Sequence, residues 1–430
     1  MLKIYKRIRQ TLTHSLLAVA ATSPIVLAQG LGNSPYSSLG VGELYSPANV
    51  TNMGMGGVGI SNANAFYLNL QNPALLARRT RFTVFEVGLI GQSTTISQNM
   101  SNEVKKQGNF AGNLGYLALS VPANSRWNIS LSLKPYTYVN YNIQQNTTVP
   151  GTIYSAQYNY TGRGGLNKVT LANGVRATKN IYVGAEASFL FGNITNSSDA
   201  RIFSNDDIVV TRLNRTNYSD AVIKLGAAWR PKLSNTWTLN VGATYDPKMR
   251  INANQTDIYQ QSYIGAVPDT LRLNSKGKAT LPEQINVGIS LEKGNTLLFG
   301  VDVGLQKWSQ YRTADNLSGN LSDAVTVAAG LEYTPKPTSN RYRDLITYRL
   351  GFQYNRLPYQ VNGTQARVND INGSLGLSLP LGSYFVNHVT LSVIGGQRGV
   401  LTGTQIREQY VRVALGFSLN DWWFRKQVVD

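Results

Sequence analysis

The chain of 430 residues contains no cysteine, only two histidines and 22 acidic residues. Without cysteine it forms no disulfide bond and carries no lipid-modified cysteine at a cleavage site. No run of about 20 apolar residues follows the first thirty positions, which excludes helical membrane spans. The shortage of histidine leaves little for acid–base catalysis. We therefore expect no enzymatic activity, no cofactor and no metal site.

The N-terminus carries a signal for export. Four basic residues lie within the first nine positions, an apolar stretch covers 16–27, and Val26-Leu27-Ala28 forms a small-residue cleavage site. This order is typical of a secretory signal peptide, predicted here over 1–28. Its removal leaves 36 Lys and Arg against 22 Asp and Glu, a formal charge of +14. The basic residues are scattered, which argues against nucleic acid and favours anionic outer-membrane lipid and lipopolysaccharide as counter-charges.

Alternation of polar and apolar residues is the dominant pattern in the rest of the chain. One segment, 410–419, has its apolar residues on one parity: Val411, Val413, Leu415, Phe417 and Leu419. About fourteen such segments are separated by gaps that are alternately long and short, which is typical of an outer-membrane barrel with short periplasmic turns. The short gaps include 177–180 and 292–295. The long gaps begin near Gln92, Ile143, Asn193, Pro247, Lys307, Arg356 and Gln397.

The predicted fold is therefore all-β, a transmembrane antiparallel β-barrel of about 14 strands over 81–420, in the bacterial outer membrane. A short periplasmic tail over 421–430 would follow. Soluble sandwiches also alternate, and a single strand does not distinguish them from barrels. Alternation places one set of charges in the lumen, because a charge on the lipid face at the bilayer midplane costs about 2–4 kcal/mol. This set is Glu186, Lys224, Asp302, Arg349 and Arg412.

Residues 29–80 precede the first strand and show no sustained alternation. They are rich in glycine and asparagine, and a wide barrel has a lumen to fill, so we expect a hatch there. Gly54, Gly56 and Gly59 match the spacing of a dinucleotide fingerprint, but neither a preceding strand nor a later acidic residue supports that interpretation. Candidates for pocket lining or hatch packing, two roles that the sequence does not separate, are Phe66, Leu68, Leu70, Asn72, Pro73, Ala74, Leu75 and Leu76.

Several of these residues resemble a known family. Met55 to Gly59 and Asn72 to Ala77 resemble the "GG…NPA" segment of FadL-type outer-membrane channels for long-chain fatty acids and other hydrophobic compounds. Further resemblances follow in the same order along the chain: 127–141, Leu281-Pro282 and 307–311. The segments 162–167 and 420–426 resemble the Bacteroidetes branch of that family. The resemblance implies a fourteen-stranded barrel, an N-terminal hatch and a sideways exit at a kink in the third strand.

The third strand supports the kink independently. Its alternation is interrupted at Pro135, after which Tyr136 and Tyr138 resume in a blurred phase. Proline gives no amide hydrogen to the ladder, so a local break in pairing follows. Both a simple bulge near the rim and a lateral opening would explain it, and the family resemblance favours the opening.

Isolated polar residues offer few alternatives. His388 follows the short turn 381–387 and is expected at the periplasmic rim, away from a hydrolase-type site. Asp206 and Asp207 supply too few ligands for calcium.

Two functions are consistent with these features. The first is passive uptake of hydrophobic small molecules, fatty-acid-like in character, through an apolar pocket, the hatch and a lateral opening. The second is a barrel subunit or shuttle of an outer-membrane secretion or barrel-assembly complex, comparable to the shuttle of type IX secretion, with other outer-membrane proteins as partners. The outer segments 143–165 and 247–280 would then be docking surfaces.

Overall fold

The computed structural model describes residues 31–79, 82–100, 103–203, 208–262, 269–360, 367–382, 386–401 and 406–421. The predicted signal peptide, Asp206, Asp207 and residues 422–430 of the predicted tail lie outside these ranges. Within them, no helix is long and apolar enough to cross a membrane.

Antiparallel strands make up most of the described chain. Strand β1 (Glu43–Leu44) belongs to the N-terminal segment. The wall strands are β2 (Thr83–Met100), β3 (Glu103–Pro122), β4 (Trp127–Thr148), β5 (Ser155–Arg176), β6 (Ile181–Phe203), β7 (Ile208–Trp229), β8 (Trp237–Asp246), β9 (Met249–Ser262), β10 (Asp269–Leu281), β11 (Gln284–Lys293), β12 (Leu297–Gln306), β13 (Ala324–Tyr333), β14 (Thr347–Gln360), β15 (Arg367–Leu381), β16 (Asn387–Arg398) and β17 (Ile406–Asp421).

These sixteen wall segments form a closed barrel of fourteen strands. β8 and β9 are two halves of one strand interrupted at Pro247, and β10 and β11 are two halves interrupted at Pro282. The first of these two strands pairs with the second along both halves: β8 pairs with β11, and β9 pairs with β10. Proline lacks the ladder donor, which explains an interruption at each site. Strand β17 pairs with β2 along its whole length and closes the wall. The predicted barrel is confirmed.

The wall has an apolar outer face and a polar inner face. In β17, Val411 and Leu419 are exposed, whereas Ala414 and Ser418 between them are buried. The same alternation recurs in β15 and β16. An apolar exterior of this kind matches a hydrocarbon environment.

The two ends of the barrel differ. Short turns at 177–180 and 294–296 join strands at one end, which we assign to the periplasm. At the other end the expected long loops are largely absent among the described residues, because the strands continue. β4 and β5 extend as one hairpin through most of 143–165, and β9 and β10 do so through most of 247–280. Continued pairing satisfies backbone groups that a loop would leave to water.

Residues 31–79 run inside the barrel as a hatch. We call residues 31–47 the upper hatch segment and residues 48–79 the lower hatch segment. The lower segment contains a helical turn at Val50–Met53 and a 3-10 helix at Pro73–Arg78, each capped by a preceding asparagine, Asn49 and Asn72.

Glycines on the inner face of the wall let the lower hatch segment approach closely. A Cβ at Gly351 would lie 1.9 Å from the backbone nitrogen of Gly56, and one at Gly184 would lie 2.4 Å from that of Ala74. Such distances exclude any side chain. Gly56 has φ of +68°, so the hatch also turns at this point of contact.

Candidate functional site

Among the fourteen described strands of the wall, the two neighbours with the fewest ladder pairs are β3 and β4, and we call their junction the seam. Their ladder covers only Leu117–Pro122 of β3 against Asn128–Leu133 of β4. Beyond it, β3 continues in pairing with β2, and β4 continues in pairing with β5. The two strands therefore diverge toward the outer end, and the third wall strand carries the break that its sequence predicted.

Local backbone irregularities on both sides explain the divergence. Pro135 follows the last paired residue of β4 by two positions, and the register with β5 shifts between Pro135 and Thr137. On β3 a register shift against β2 skips Gly115. β-bulges of this kind bend a strand and end its pairing. A bend on each strand at the same height opens the seam.

The upper hatch segment fills the opened seam. Strand β1 pairs with β4, Glu43 opposite Tyr138 and Leu44 opposite Thr137. The backbone nitrogen of Ser34 donates to the carbonyl of Asn140 at 2.8 Å. These bonds satisfy the edge of β4 that β3 has left.

Side chains attach the same segment to β3 on the far side of the seam. Asn109 Nδ2 donates to the carbonyl oxygen of Asn33 at 3.1 Å, and the hydroxyl of Tyr45 donates to Asn113 Oδ1 at 3.1 Å. The upper segment thus bridges the two diverging strands. It bonds to β4 largely through backbone and to β3 through side chains.

A cavity of about 280 Å³ lies beside the seam. Pro135, Tyr136 and Tyr138 contribute to its lining, together with residues 43–47 of the upper hatch segment. Much of the remaining lining is charged, which corrects the expectation of an apolar pocket: Glu43, Lys134, Lys168, Lys224, Asp246, Asp302, Arg356, Asp370, Arg398 and Arg412.

Three lysines form one side of the cavity. Lys168 pairs with Glu186 at 2.7 Å and Lys224 pairs with Asp246 at 3.5 Å. Lys134, also buried, contacts only the carbonyl oxygen of Leu70, at 3.3 Å. This side therefore holds three lysines but only two paired carboxylates.

Arg398 organises the opposite side. Its guanidinium lies 2.5 Å from Glu43, 3.2 Å from Asp370 and 3.4 Å from Glu408. Burial opposes the ionisation of Glu43, but attraction to Arg398 outweighs it and holds the pKa of Glu43 below its usual 4.5. Since Glu43 lies in β1 and Arg398 lies in β16, this ion pair connects the upper hatch segment to the opposite side of the barrel wall.

The predicted hatch residues lie mostly below this cavity. Asn72, Pro73 and Ala74 pack against wall glycines of β6 and β7. The larger apolar side chains Leu68, Leu70, Leu75 and Leu76 are buried in the hatch core. Phe66 is 53% exposed and lies in neither the cavity nor the core, contrary to the expectation. Of the two roles that the sequence left open, pocket lining and hatch packing, the buried residues fit hatch packing.

The five charges expected in the lumen all lie on the inner face. Asp302 accepts backbone bonds from Gly59 and Ile60, both at 2.7 Å. Glu186 and Lys224 belong to the lysine side of the cavity. Arg349 pairs with Glu332 at 2.7 Å, and Arg412 donates to Gln92 at 2.9 Å. Four of the five therefore have a partner within the wall, and Asp302 holds the hatch.

His388 is buried near the periplasmic end, with its ring 4.6 Å from that of Tyr67 in an edge-to-face arrangement. This contact is with the hatch. In the part of the chain that the structure describes, no group of three or more His, Asp or Glu residues could hold a metal.

Sequence reasoning missed the Arg398 cluster and the polar character of the cavity. The parity of β16 could have placed Arg398 inward, since it shares the parity of His388 and Thr390, which are buried. Its partner Glu43 carried no signal, because the two-residue strand β1 is too short to show alternation.

Comparisons with known proteins agree with this fold. A family model described as BamG matches residues 8–430. No curated protein matches the chain. A FadL homologue from Pseudomonas aeruginosa aligns with a TM-score of 0.58 at 14% identity, over 89% of this chain and 99% of the homologue. The toluene transporter TbuX from Ralstonia pickettii gives 0.54 at 16% identity, over 87% and 98%. The toluene transporter TodX from P. putida gives 0.56 at 13%, over 89% and 100%. At these identities the likeness establishes the fold alone.

Proposed function

The chain belongs to the BamG family, and from its fold and its open seam we propose that it is an outer-membrane channel for small, largely hydrophobic molecules. These molecules would enter from the outer surface, occupy the cavity and leave sideways between β3 and β4. No energy source is needed, because diffusion down a concentration gradient into the bilayer suffices.

The observation that carries this proposal is the position of the cavity beside the β3–β4 seam, which has the fewest ladder pairs of any two neighbours among the fourteen strands that the structure describes. Pro135 lies at both, since it lines the cavity and follows the end of the β3–β4 ladder. Irregular backbone at membrane depth is tolerated where it faces a cavity or other protein, and here it faces both. The lower hatch segment fills the lumen beneath, which favours a sideways exit over a straight one.

The volume and charge of the cavity narrow the substrate. A dry engineered cavity of about 150 Å³ binds benzene, so about 280 Å³ admits one or two rings, or a short chain, rather than an extended fatty acid. The cations and carboxylates of the lining favour an amphipathic compound over a pure hydrocarbon, because buried charges need polar partners. The structural neighbours named as toluene transporters support small aromatic compounds as first candidates.

A reversible staple tests the sideways route. The chain has no cysteine, so Leu44→Cys with Thr137→Cys introduces a single pair at directly opposed positions of β1 and β4. Opposed antiparallel residues lie about 4.5–5.5 Å apart at Cα, within the range of a disulfide. Oxidation should hold the upper hatch segment in the seam and stop uptake of a small aromatic alcohol into proteoliposomes. Reduction should restore it.

The control staple is Ala185→Cys with Leu225→Cys, an opposed pair of β6 and β7, which are paired without a break from Ile181 opposite Trp229 to Ile202 opposite Ile208. It should have no effect on uptake in either redox state. Uptake that continues unchanged through the oxidised seam staple would exclude passage between β3 and β4.

A second candidate is the complex subunit, which two observations favour. The edge of β4 already accepts an added strand, β1, so the seam can bind polypeptide as well as small molecules. The BamG family match supports the candidate by name only. Long hairpins such as β4–β5 and β9–β10 would supply further docking surface.

Photo-crosslinking separates the two candidates. An unnatural photoreactive residue at Ile153, 95% exposed beside the tip of the β4–β5 hairpin, should capture one protein in stoichiometric yield if the chain is a subunit. The same residue at Lys179, in a periplasmic turn, is the control. If the residue at Ile153 captures a stoichiometric partner and uptake continues through the oxidised seam staple, the subunit function replaces the channel proposal.

A further inference from the structure

Three neighbouring strands present one continuous face at the outer end of the barrel. Arg215 of β7 lies opposite Thr256 of β9, which lies opposite Asn274 of β10. Directly opposed residues share a face of the sheet. A hydrogen bond of 2.9 Å from Thr256 Oγ1 to Asn274 Oδ1 shows that these side chains meet there.

This face points away from the lumen. The alternate positions of β9, Ile251 and Ala253, are fully buried on the inner side, whereas Arg250 and Asn252 are exposed. Five exposed cations occur on the outward face, which we call the outer basic face: Arg215, Arg250, Arg272, Lys276 and Lys278.

The outer basic face carries no carboxylate among its described positions. The remaining positions on the three strands are mainly asparagine, serine and threonine. Asp257 lies on the opposite side of β9, where it accepts bonds from Asn214 at 3.0 Å and Arg212 at 3.3 Å. Asp220 accepts from backbone nitrogens of Ala221 and Asn252. The five cations therefore have no carboxylate partner within the described part of the chain.

The face begins where the strands leave the hydrocarbon. Below it on β7, Ile223, Leu225 and Trp229 are exposed on the same parity as Arg215. A tilted strand crosses the bilayer core in about 9–11 residues, so a periplasmic boundary near Trp229 puts the outer boundary near position 219 to 221. On the next strand, Arg250 follows the last outward aromatic of β8, Tyr245, after the interruption at Pro247.

We propose that the outer basic face binds the phosphate groups of a phosphorylated glycolipid in the outer leaflet. Such a lipid places its acyl chains along the apolar belt and its phosphates directly above them, at the level of Arg250, Lys276 and Lys278. Guanidinium and ammonium groups form charge-assisted hydrogen bonds with phosphate. Neighbouring Asn252 and Asn254 offer amide groups to the sugar hydroxyls. The position of these cations at the outer boundary of the apolar, lipid-facing surface is expected for a lipid headgroup. Binding of an acidic protein would not require that position.

The probe is diphosphoryl lipid A in detergent micelles, and binding is counted by native mass spectrometry. The test variant combines Arg250→Gln, Lys276→Gln and Lys278→Gln. The control variant removes three exposed cations elsewhere on the outer extensions, Lys105, Lys106 and Arg163, each changed to Gln. Heat-dependent migration in gels reports that both variants are folded.

We expect the test variant to bind at least tenfold less lipid A than the wild type, and the control to bind as the wild type does. Dephosphorylated lipid A should bind the wild type weakly, and added salt should weaken binding of the phosphorylated form. Equal binding by the test variant and wild type would overturn the proposal, as would equal binding of the dephosphorylated lipid. Loss of an acidic protein partner from the test variant, with lipid A binding intact, would also overturn it.

Discussion

The two segments of the hatch are held by different kinds of contact. The lower hatch segment packs its backbone against wall glycines and gives its amides to Asp302, so its fit depends on shape. The upper hatch segment adds a strand to β4 and pairs Glu43 with Arg398. A strand edge accepts any extended backbone, but a glycine-lined wall accepts only one surface. We infer that the lower segment is the fixed stopper and the upper segment is the exchangeable closure.

Deleting the segments separately gives the largest expected contrast. Removal of 31–79 should leave a lumen lined by polar and charged side chains and filled with water, so conductance in planar bilayers should rise several-fold. Removal of 31–45 should raise it less, because the stopper remains. Both proteins must insert as folded barrels for the comparison to apply. Equal conductance for both deletions would show that the lower segment does not close the pore.

A side chain added at Gly351, where the wall contacts Gly56, should displace the lower hatch segment without disturbing the upper one. Gly351→Val adds a side chain whose Cβ would lie 1.9 Å from the backbone nitrogen of Gly56. Overpacking of this kind costs about 1–3 kcal/mol. Gly395→Val is the matched control, since a Cβ there meets nothing within 4 Å. We expect a lower midpoint of heat unfolding and a higher leak for the first variant only. A Gly351→Val protein as stable as the control would mean that the hatch shifts without cost.

Acid should loosen the upper hatch segment through Glu43. The folded pKa of Glu43 is depressed, so the stabilisation it supplies is complete above its ordinary pKa of 4.5 and is lost as the pH falls through the depressed value. A hydrogen bond to a charged group contributes about 1.5–3 kcal/mol, so brief openings in planar bilayers should become more frequent below pH 4.5.

Glu43→Gln should open more often than the wild type already at neutral pH and show a weaker response to acid. Asp315→Asn, in an exposed outer segment, is the control and should behave as the wild type does. An unchanged acid response in Glu43→Gln would assign the effect to another carboxylate.

Sequence patterns predicted the parts of the molecule whose signals are local. The alternation of Val411, Val413 and Leu415 located a membrane strand, because lipid on one face imposes a period of two. The outer hairpins were predicted as loops, because water surrounds both of their faces and removes that period. The segment Gln144-Gln145-Asn146-Thr147 at the outer end of β4 shows this, since it is a strand segment with every residue exposed and no apolar side chain.

The candidate site was predictable only where one residue broke a pattern. Pro135 located the seam because proline removes a ladder donor. The cavity lining was not predictable, since Lys134, Asp302 and Arg398 come from separate strands and meet only when the barrel closes. The same holds for β1, whose strand conformation depends on an edge that β3 vacates.

The smallest expected effect on stability, and the most specific on transport, comes from Pro135→Val. Valine restores an amide donor two positions beyond the last β3–β4 pair, so the ladder should extend upward and narrow the seam. The heat-unfolding midpoint should hold or rise slightly, while uptake of a small aromatic compound should fall. Pro122→Val, at the periplasmic end of β3, is a control that leaves the seam unchanged. If hydrogen exchange showed an extended ladder and uptake stayed at the parental rate, passage would not depend on the seam, and the subunit function would be favoured.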